Sequence, residues 1–212
     1  MIDKTFNNNI KTLPKISDIK KMIMTDDYPL GEKVDFSLLD KTYKIRSEYT
    51  KHSFFILNHE FLKSIKKMTD DLDITSISEL SCGVGWMSYW LMIYGVPIIQ
   101  AVDNEYWSKG GRMNPHLDFV TKGDSIDYVI NHPNIQMYIL SWPYMDDVAE
   151  RVWCEMQDGQ YLLYIGESNG GCTADDKFFE YTHDKDVKDE WCMYRSFVSF
   201  YGIHDRPTLY KK

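Results

Sequence analysis

The most regular hydrophobic pattern of the chain lies between Ile77 and Asp103. Short apolar runs at 77–80 and 98–102 are bounded by polar residues, which is typical of buried parallel strands. The segment 86–94 between them is largely apolar and free of proline, and Gly95 follows it, so we predict a helix that ends there. Strand, turn, helix and strand in this order predict one βαβ unit.

Further apolar runs extend this unit in both directions. Phe61, Leu62, Ile65 and Met68 recur at helical spacing after Asn58, which predicts a capped helix that either packs on the core or covers a ligand. Runs at 118–120, 135–140 and 161–165 predict three more strands, and 126–130 and 146–156 predict helices between them. Strands at 197–201 and 208–210 predict a closing antiparallel hairpin. The fold class expected is α/β, with a doubly wound, mostly parallel sheet.

The N-terminal quarter has a different pattern. Residues 1–50 are polar and rich in Lys, Asp and Asn, and proline interrupts them at Pro14 and within Pro29-Leu30-Gly31. Two short helices are predicted, at 17–24 with Ser17 as cap and at 37–49. We therefore predict an N-terminal helical arm or lid over residues 1–50 and a catalytic domain over residues 51–212.

Composition narrows the possible functions. The chain has 212 residues, of which 43% are hydrophobic, and this composition suits one globular domain. Its net charge of −8 lacks the excess of basic residues that is typical of proteins that bind double-stranded nucleic acid. The four cysteines show no zinc-ligand spacing, so no metal site is expected. The sequence shows neither the apolar h-region of a secretory signal peptide nor an apolar run long enough for a transmembrane helix. We therefore expect a cytoplasmic protein with free thiols and no membrane partner.

The turn after the first predicted strand carries the first candidate chemistry. It follows the pattern Glu79-x-Ser81-x-Gly83-x-Gly85, and Asp103 ends the next strand, 20 positions after Gly83. Glycines let a ligand approach the backbone, and a carboxylate at this distance accepts hydrogen bonds from ribose hydroxyls in dinucleotide-binding folds. The alternative is a βα turn whose glycines are incidental.

This pattern resembles motif I of the class I S-adenosylmethionine-dependent methyltransferases, (D/E)-x-G-x-G-x-G, with Ser81 in place of the first glycine. The resemblance implies a Rossmann-like methyltransferase fold, S-adenosyl-L-methionine as cofactor, Asp103 as the ribose ligand and Asp124 as the acceptor of the adenine amino group. The cofactor-binding residues that it implies are Glu79, Ser81, Cys82, Gly83, Gly85, Asp103, Asn104 and Asp124.

The end of the fourth predicted strand reads Ser141-Trp142-Pro143-Tyr144. It is similar to the (N/D/S)-P-P-(Y/F/W) motif of amino-methyltransferases, with Trp142 in place of the first proline. The resemblance implies that Ser141 and the carbonyl region of Pro143 accept hydrogens from a target amine and that Tyr144 stacks on the substrate. Taken alone, the same residues describe a strand that ends in a rigid aromatic turn.

A third loop, 166–173, follows the fifth predicted strand. Glu167 is a candidate base or amine ligand, Cys172 an alternative nucleophile, and Thr173 the predicted cap of the next helix. The motifs together also resemble an uncharacterised group of methyltransferase-like proteins that share Ser-Trp-Pro-Pro-Tyr and a later Gly-Cys-Thr-x-Asp-Asp-x-Phe-Phe segment. This similarity covers about residues 50 to 192.

The sequence thus predicts methyl transfer to a nitrogen of an unidentified acceptor, whether small molecule, protein or nucleic acid. The catalytic residues implied are Ser141, Pro143, Tyr144 and Glu167. Two alternatives stay open. One is a non-catalytic nucleotide- or partner-binding module on a degenerate methyltransferase fold, and the other a different nucleotide-dependent enzyme that uses Glu167 and Cys172. The oligomeric state is not predicted.

Overall fold

A computed structural model describes residues 13–29 and 34–212. Within these residues one sheet of six strands has the order β3-β2-β1-β4-β5-β6, with β1 to β5 parallel and β6 antiparallel to β5. The strands are β1 (Ile77–Leu80), β2 (Ile98–Asp103), β3 (Val120–Lys122), β4 (Met137–Ser141), β5 (Tyr161–Gly166) and β6 (Arg206–Lys211).

Helices precede and separate the strands. Those in the described residues are α1 (Ile16–Met22), α2 (Phe36–Tyr49), α3 (His59–Asp71), α4 (Trp86–Ile93), α5 (Tyr106–Lys109), α6 (Ser125–Asn131), α7 (Val148–Glu155), α8 (Asp176–Thr182) and α9 (Met193–Ser196). The Asn58 side chain accepts from the Phe61 backbone N–H at 2.9 Å, which confirms the predicted cap of α3.

The sheet is covered on both faces. Side chains of successive strand residues point to opposite faces, and accordingly Ile139 joins the hydrophobic cluster under α3 and α4, whereas Tyr138 and Leu140 join the cluster under α6, α7 and α8. The doubly wound, mostly parallel α/β fold is therefore confirmed.

The strand order reverses between β1 and β4. Helix α4, which follows β1, packs in one cluster, and α7, which follows β4, packs in the other. The two chain segments that leave β1 and β4 therefore diverge and leave a crevice at the carboxyl ends of these strands. In open α/β sheets ligands bind at this place.

The predicted strand at 197–201 is wrong. Val198 and Phe200 make only isolated bridges, to Ile56 and Thr25 respectively, while β6 pairs with β5. Both side chains are buried against Ile19 of α1 and its neighbours. The apolar run 197–201 therefore packs on the N-terminal region and does not pair as a strand of the sheet.

Several predicted boundaries also shift. Helix α1 begins at Ile16 after Lys15, so Ser17 is not its cap. Helix α5 lies between Asp103 and the third strand, which begins at Val120 and not at Asp118. Asp175, not Thr173, caps α8 by accepting from the Phe178 N–H.

The N-terminal region packs on the rest of the chain. Met24 donates its backbone N–H to Thr42 of α2 at 2.8 Å, and the Tyr49 hydroxyl accepts from the Leu57 N–H at 3.0 Å. The division into an arm of residues 1–50 and a domain of residues 51–212 stays a prediction. Residues 1–12 and 30–33, with the predicted breaks at Leu30 and Gly31, lie outside the described part of the chain.

Candidate active site

A cavity of about 350 Å³ opens at the carboxyl ends of β1, β2 and β4. This volume lies within the range of small-molecule sites, about 300–1,000 Å³. The residues that line it are His52, Ser53, Phe54, Phe55, Glu79, Ser81, Cys82, Gly83, Trp86, Met87, Asp103, Asn104, Tyr106, Trp107, Met113, Ser141, Trp142, Pro143, Tyr144, Asp146 and Val148. The crevice predicted by the strand order is therefore open in the structure.

Most of the predicted site residues meet in this cavity. From the cofactor set these are Glu79, Ser81, Cys82, Gly83, Asp103 and Asn104, and from the catalytic set Ser141, Pro143 and Tyr144. Gly85, Asp124 and Glu167 are not among the lining residues. Three separate chain segments, after β1, β2 and β4, thus contribute to one site.

The turn after β1 uses left-handed backbone angles. Ser81 has φ +48° and Gly83 φ +56°. A serine at such an angle is strained, since side chains disfavour this region. Its backbone N–H and its hydroxyl both bond the Ser125 hydroxyl, at 3.1 and 3.0 Å. Ser125 therefore holds in place the serine that stands where motif I has its first glycine.

The Asp103 carboxylate lies against the same turn. Its Oδ2 accepts from the Gly83 N–H at 2.9 Å, and its Oδ1 accepts from the Glu105 N–H at 2.7 Å and lies 3.2 Å from Nε2 of His116. A carboxylate offers about four lone-pair sites. One backbone donor on each oxygen leaves about two of these sites for a ligand or for His116.

Glu79 is a buried carboxyl beneath the turn. Its Oε2 accepts from the backbone N–H and the hydroxyl of Ser88, at 3.0 and 2.5 Å. Burial raises the pKa of Glu79 to about 7, because desolvation outweighs the stabilising hydrogen bonds from Ser88 and Ser141, and the negative Asp103 raises the pKa further. This carboxyl therefore changes its charge near neutral pH, directly under the cavity.

The turn after β4 has an unexpected backbone. Trp142 has φ +50°, which the proline ring cannot adopt, so a proline at this position would require a different turn. The Trp142 backbone N–H donates to the Ile165 carbonyl at 2.7 Å, and its indole N–H donates to Oδ2 of Asp205 at 2.8 Å. Burial raises the pKa of Asp205 to about 6. The tryptophan is thus held from both its backbone and its ring.

The three predicted residues outside the cavity have structural contacts. Asp124 caps α6 by accepting from the backbone N–H groups of Ile126 and Asp127, at 2.8 and 3.1 Å. Glu167 accepts from the Cys172 N–H at 2.7 Å within its own loop. Gly85, at φ +82°, faces the start of β3. The cofactor roles of Asp124 and Gly85 and the catalytic role of Glu167 stay predictions.

Of the four cysteines, Cys82 is the one among the residues that line the cavity. Cys172 is exposed and is not a lining residue. Cys82 lines the cavity, but burial raises the pKa of its thiol well above the usual value, so the reactive thiolate is disfavoured.

No group of three His, Cys, Asp or Glu side chains suited to a metal occurs in the described ranges, and no helix there is long and apolar enough to cross a membrane.

Sequence reasoning missed several contributors to the site, and Phe54 and His116 are two examples. Phe54 lies in the segment before α3, and it stacks on Trp142 with ring centroids 5.6 Å apart. His116 lies in an irregular segment and reaches Asp103. No local pattern marks either residue, because each is brought to the site by packing between distant segments.

Comparison with known proteins finds similarity in structure alone. No family model and no curated protein matches the chain. Among solved structures, the chain is similar to human N-acetylserotonin methyltransferase in complex with SAM, at 12% identity over 71% of this chain and 51% of that chain, with a TM-score of 0.40. The chain therefore spans about half the length of the human protein.

Two further solved structures match over more of their length. A Burkholderia thailandensis 1,6-didemethyltoxoflavin-N1-methyltransferase with bound 1,6-didemethyltoxoflavin and S-adenosylhomocysteine shares 11% identity over 90% of this chain and 94% of that one, with a TM-score of 0.44. A methyltransferase from Geobacter sulfurreducens shares 13% sequence identity over 86% of this chain and 93% of that chain, with a TM-score of 0.45. At these identities the similarity is one of fold alone.

Proposed function

We propose that this chain is an enzyme that transfers a methyl group from S-adenosyl-L-methionine to a nitrogen of an acceptor. The observation that carries the proposal is the convergence of two predicted motifs. The turn joined to Asp103 and the turn from Ser141 to Tyr144 line one cavity, at the place where an open α/β sheet binds ligands.

The cavity suits the proposed cofactor in its chemistry. Asp103 keeps about two acceptor sites for ribose hydroxyls, and Gly83, in the left-handed turn, lines the cavity without a side chain. Asn104 adds an amide beside the carboxylate. When bound, S-adenosylmethionine would supply an electrophilic methyl group on a sulfonium, whose positive charge the Asp103 carboxylate and the ionised form of Glu79 would favour.

The segment after β4 supplies the acceptor side. Ser141 ends the strand with its hydroxyl near Glu79, and Tyr144 exposes 61% of its surface at the mouth of the cavity. In this proposal the Ser141 oxygen and the Pro143 carbonyl region accept hydrogen bonds from the amine. These bonds direct the lone pair of the amine at the methyl group. Alignment of donor and acceptor accounts for most of the rate in such a transfer, since little acid–base help is needed.

The first experiment measures cofactor binding. The purified chain is titrated calorimetrically with S-adenosylhomocysteine, and its melting temperature is recorded with S-adenosylmethionine, S-adenosylhomocysteine and NAD. Because a ligand that binds only the native state raises the melting temperature, we expect a rise with both adenosyl compounds and none with NAD. Transfer of a labelled methyl group to pooled acceptors then tests turnover. A rise with NAD alone contradicts the proposal.

A second candidate is a binding module without turnover. It is favoured by the Asp103 carboxylate, which already accepts from the backbone N–H groups of Gly83 and Glu105 and lies 3.2 Å from His116, so that part of its acceptor capacity is used within the protein. Weak binding of S-adenosylhomocysteine without labelled product from any acceptor pool supports this candidate over the enzyme.

A further inference from the structure

One segment of the chain covers both Gly83 and Asp103 in the candidate cofactor site. We define this segment as residues 111–116 and call it the strap. Its Met113 lies over the glycine, since a β-carbon built on Gly83 would be 2.9 Å from Cε and 3.3 Å from Sδ of the methionine. Its His116 places Nε2 3.2 Å from Oδ1 of Asp103. The strap therefore contacts the turn after β1 and the end of β2 at once.

These contacts are buried and use the groups that a cofactor would use. Met113 is 9% exposed, and the side chains of His116 and Asp103 are 13% and 10% exposed. A glycine in a ligand-binding turn lets the ligand approach the backbone, and a thioether on Gly83 removes that access. A histidine nitrogen on Oδ1 likewise takes acceptor capacity from a ribose hydroxyl. The strap and a bound cofactor therefore compete for the same two residues.

The strap has the features of a segment that opens locally. Residues 110–119, between α5 and β3, form neither a helix nor a strand. Within the strap Gly111, Arg112 and Pro115 are exposed, and Gly111 has open space around it at a φ of +69°. Segments with few buried contacts open at a low free energy while the core stays folded. The strap can therefore leave the site without disruption of the sheet.

The strap is anchored on the segment between α2 and α3. Asn114 donates its backbone N–H to the Lys51 carbonyl at 2.9 Å. Its side-chain Nδ2 lies 3.1 Å from Nε2 of His52, which lines the cavity. The strap thus extends from this segment to the turn at Gly83, and its displacement would widen the cavity between them.

From these contacts we infer that the strap is autoinhibitory: residues 111–116 occupy part of the cofactor position and have to move aside before S-adenosylmethionine binds. The inference rests on the proposed function and adds a regulation of the same site. Only molecules with an open strap bind the cofactor, so the apparent affinity is reduced by the fraction that is open. A strap that served as a wall of the site would add contacts to the ligand, and its loss would weaken binding.

Two substitutions remove the two contacts. His116→Ala frees Asp103, and Met113→Ala uncovers Gly83. S-adenosylhomocysteine is titrated by calorimetry into the natural chain and into each variant. We expect each variant to bind it at least about threefold more tightly, the order of effect when one hydrogen bond or one small contact no longer has to be broken. Unchanged or weaker binding in either variant overturns the inference.

Matched controls separate the strap from general effects of the substitutions. His183 lies 2.9 Å from the Asp184 carboxylate, Met92 is 39% exposed on α4, and neither lines the cavity. Because surface substitutions have small effects, we expect His183→Ala and Met92→Ala to stay within about twofold of the natural chain. A gain in either control as large as that of the strap variants overturns the inference. Melting temperatures of the free variants verify folding, and Met113→Val replaces Met113→Ala if the latter does not fold.

A double-mutant cycle tests how His116 acts. If this histidine inhibits by occupying the Asp103 carboxylate, its removal gives no gain once the carboxylate is absent. We therefore expect His116→Ala to leave the affinity of Asp103→Ala for S-adenosylhomocysteine unchanged. A gain in the Asp103→Ala background equal to that in the natural chain overturns the inference, because the histidine would then act elsewhere.

The same titrations separate this inference from the proposed function. If neither the natural chain nor any strap variant binds S-adenosylhomocysteine, the proposed function is contradicted. If the natural chain binds it and the strap variants bind it no more tightly, only the autoinhibitory strap is contradicted. Binding that is detected in the strap variants alone supports both.

Discussion

Gly83 and Asp103 are joined by a hydrogen bond of 2.9 Å between the glycine N–H and the carboxylate Oδ2. The bond connects the turn after β1 to the end of β2, so the two parts of the candidate cofactor site are held as one unit. It also uses part of the acceptor capacity that a ribose would need. Binding and rigidity at this site therefore depend on the same carboxylate.

The first prediction concerns this carboxylate. Asp103→Ala removes the ligand acceptor and leaves the N–H groups of Gly83 and Glu105 without their partner. Hydrogen bonds to charged groups contribute about 1.5–3 kcal/mol, so we expect the dissociation constant of S-adenosylhomocysteine to rise at least tenfold by calorimetry. An unchanged constant would count against the cofactor site.

Asp124 provides the comparison for that experiment. Its carboxylate caps α6 and does not line the cavity. Asp124→Ser keeps a capping oxygen, and we expect it to leave the affinity for S-adenosylhomocysteine within twofold of the natural chain. A loss as large as that of Asp103→Ala would instead support the adenine-binding role predicted from the sequence.

The second prediction concerns the stability of the glycine turn. In Gly85→Ala the new Cβ would lie 2.4 Å from Cγ2 of Val120, at a backbone φ of +82°. Gly159→Ala has a similar φ of +91° but open space around the new carbon, so it isolates the backbone strain. We expect urea unfolding to give a loss of about 1 kcal/mol for Gly159→Ala and a further ~1–3 kcal/mol for Gly85→Ala. Equal losses would refute the close packing against β3.

The third prediction is a pH dependence of stability caused by Glu79. Its folded-state pKa of about 7 lies above the usual value of 4.5. Since the folded protein binds this proton more tightly than the unfolded chain, the contribution of Glu79 to stability is fully present below pH 4.5 and is lost as the pH rises to about 7. Urea unfolding measures this contribution against Glu79→Gln, which has no proton to lose.

The comparison at two pH values isolates Glu79 from other titrating groups. Between pH 5 and pH 8 we expect the free energy of unfolding of the natural chain to fall relative to Glu79→Gln by at least about 1 kcal/mol, since one pKa unit corresponds to ~1.4 kcal/mol. A constant difference across this window would show that Glu79 titrates in its ordinary range.

The fourth prediction compares two indole–carboxylate pairs. Trp142 donates to Asp205 and Trp191 donates to Asp71, both at 2.8 Å. Asp205 is buried, and its Oδ1 has no hydrogen-bond partner in the described part of the chain, whereas the Asp71 side chain is 45% exposed. Loss of the Trp142 indole N–H leaves the buried Asp205 carboxylate without a donor, and water cannot easily replace it. We therefore expect the coupling energy of Trp142 with Asp205 to be larger than that of Trp191 with Asp71.

Double-mutant cycles measure the two coupling energies and cancel the packing cost of losing the indole. The substitutions are Trp→Phe and Asp→Asn in each pair, with stability followed by urea unfolding. We expect a coupling above ~1 kcal/mol for Trp142 with Asp205 and below ~0.5 kcal/mol for Trp191 with Asp71. The reverse order would show that the buried pair does not hold the turn after β4.

The errors of sequence reasoning have a common cause. The run 197–201 has the composition of a strand, but Val198 and Phe200 pack on the N-terminal region, which no local pattern reveals. Thr173 precedes a helix, as a capping threonine does, yet its hydroxyl lies 2.7 Å from the Tyr164 hydroxyl, and Asp175 caps α8 instead. A polar side chain near a site takes whichever partner the tertiary structure brings closest.

By itself, the sequence determined the βαβ unit, the bend at Gly83, the place of Asp103 at the end of β2 and the place of Ser141 at the end of β4. These depend on hydrophobic period, on backbone freedom and on the common direction of parallel strands, all of which are local properties. Only the tertiary structure decided that Phe54 stacks on Trp142, that Asp205 holds the indole and that His116 reaches Asp103. Such contacts join segments far apart in the chain, and they form because packing of the whole domain leaves these groups as neighbours.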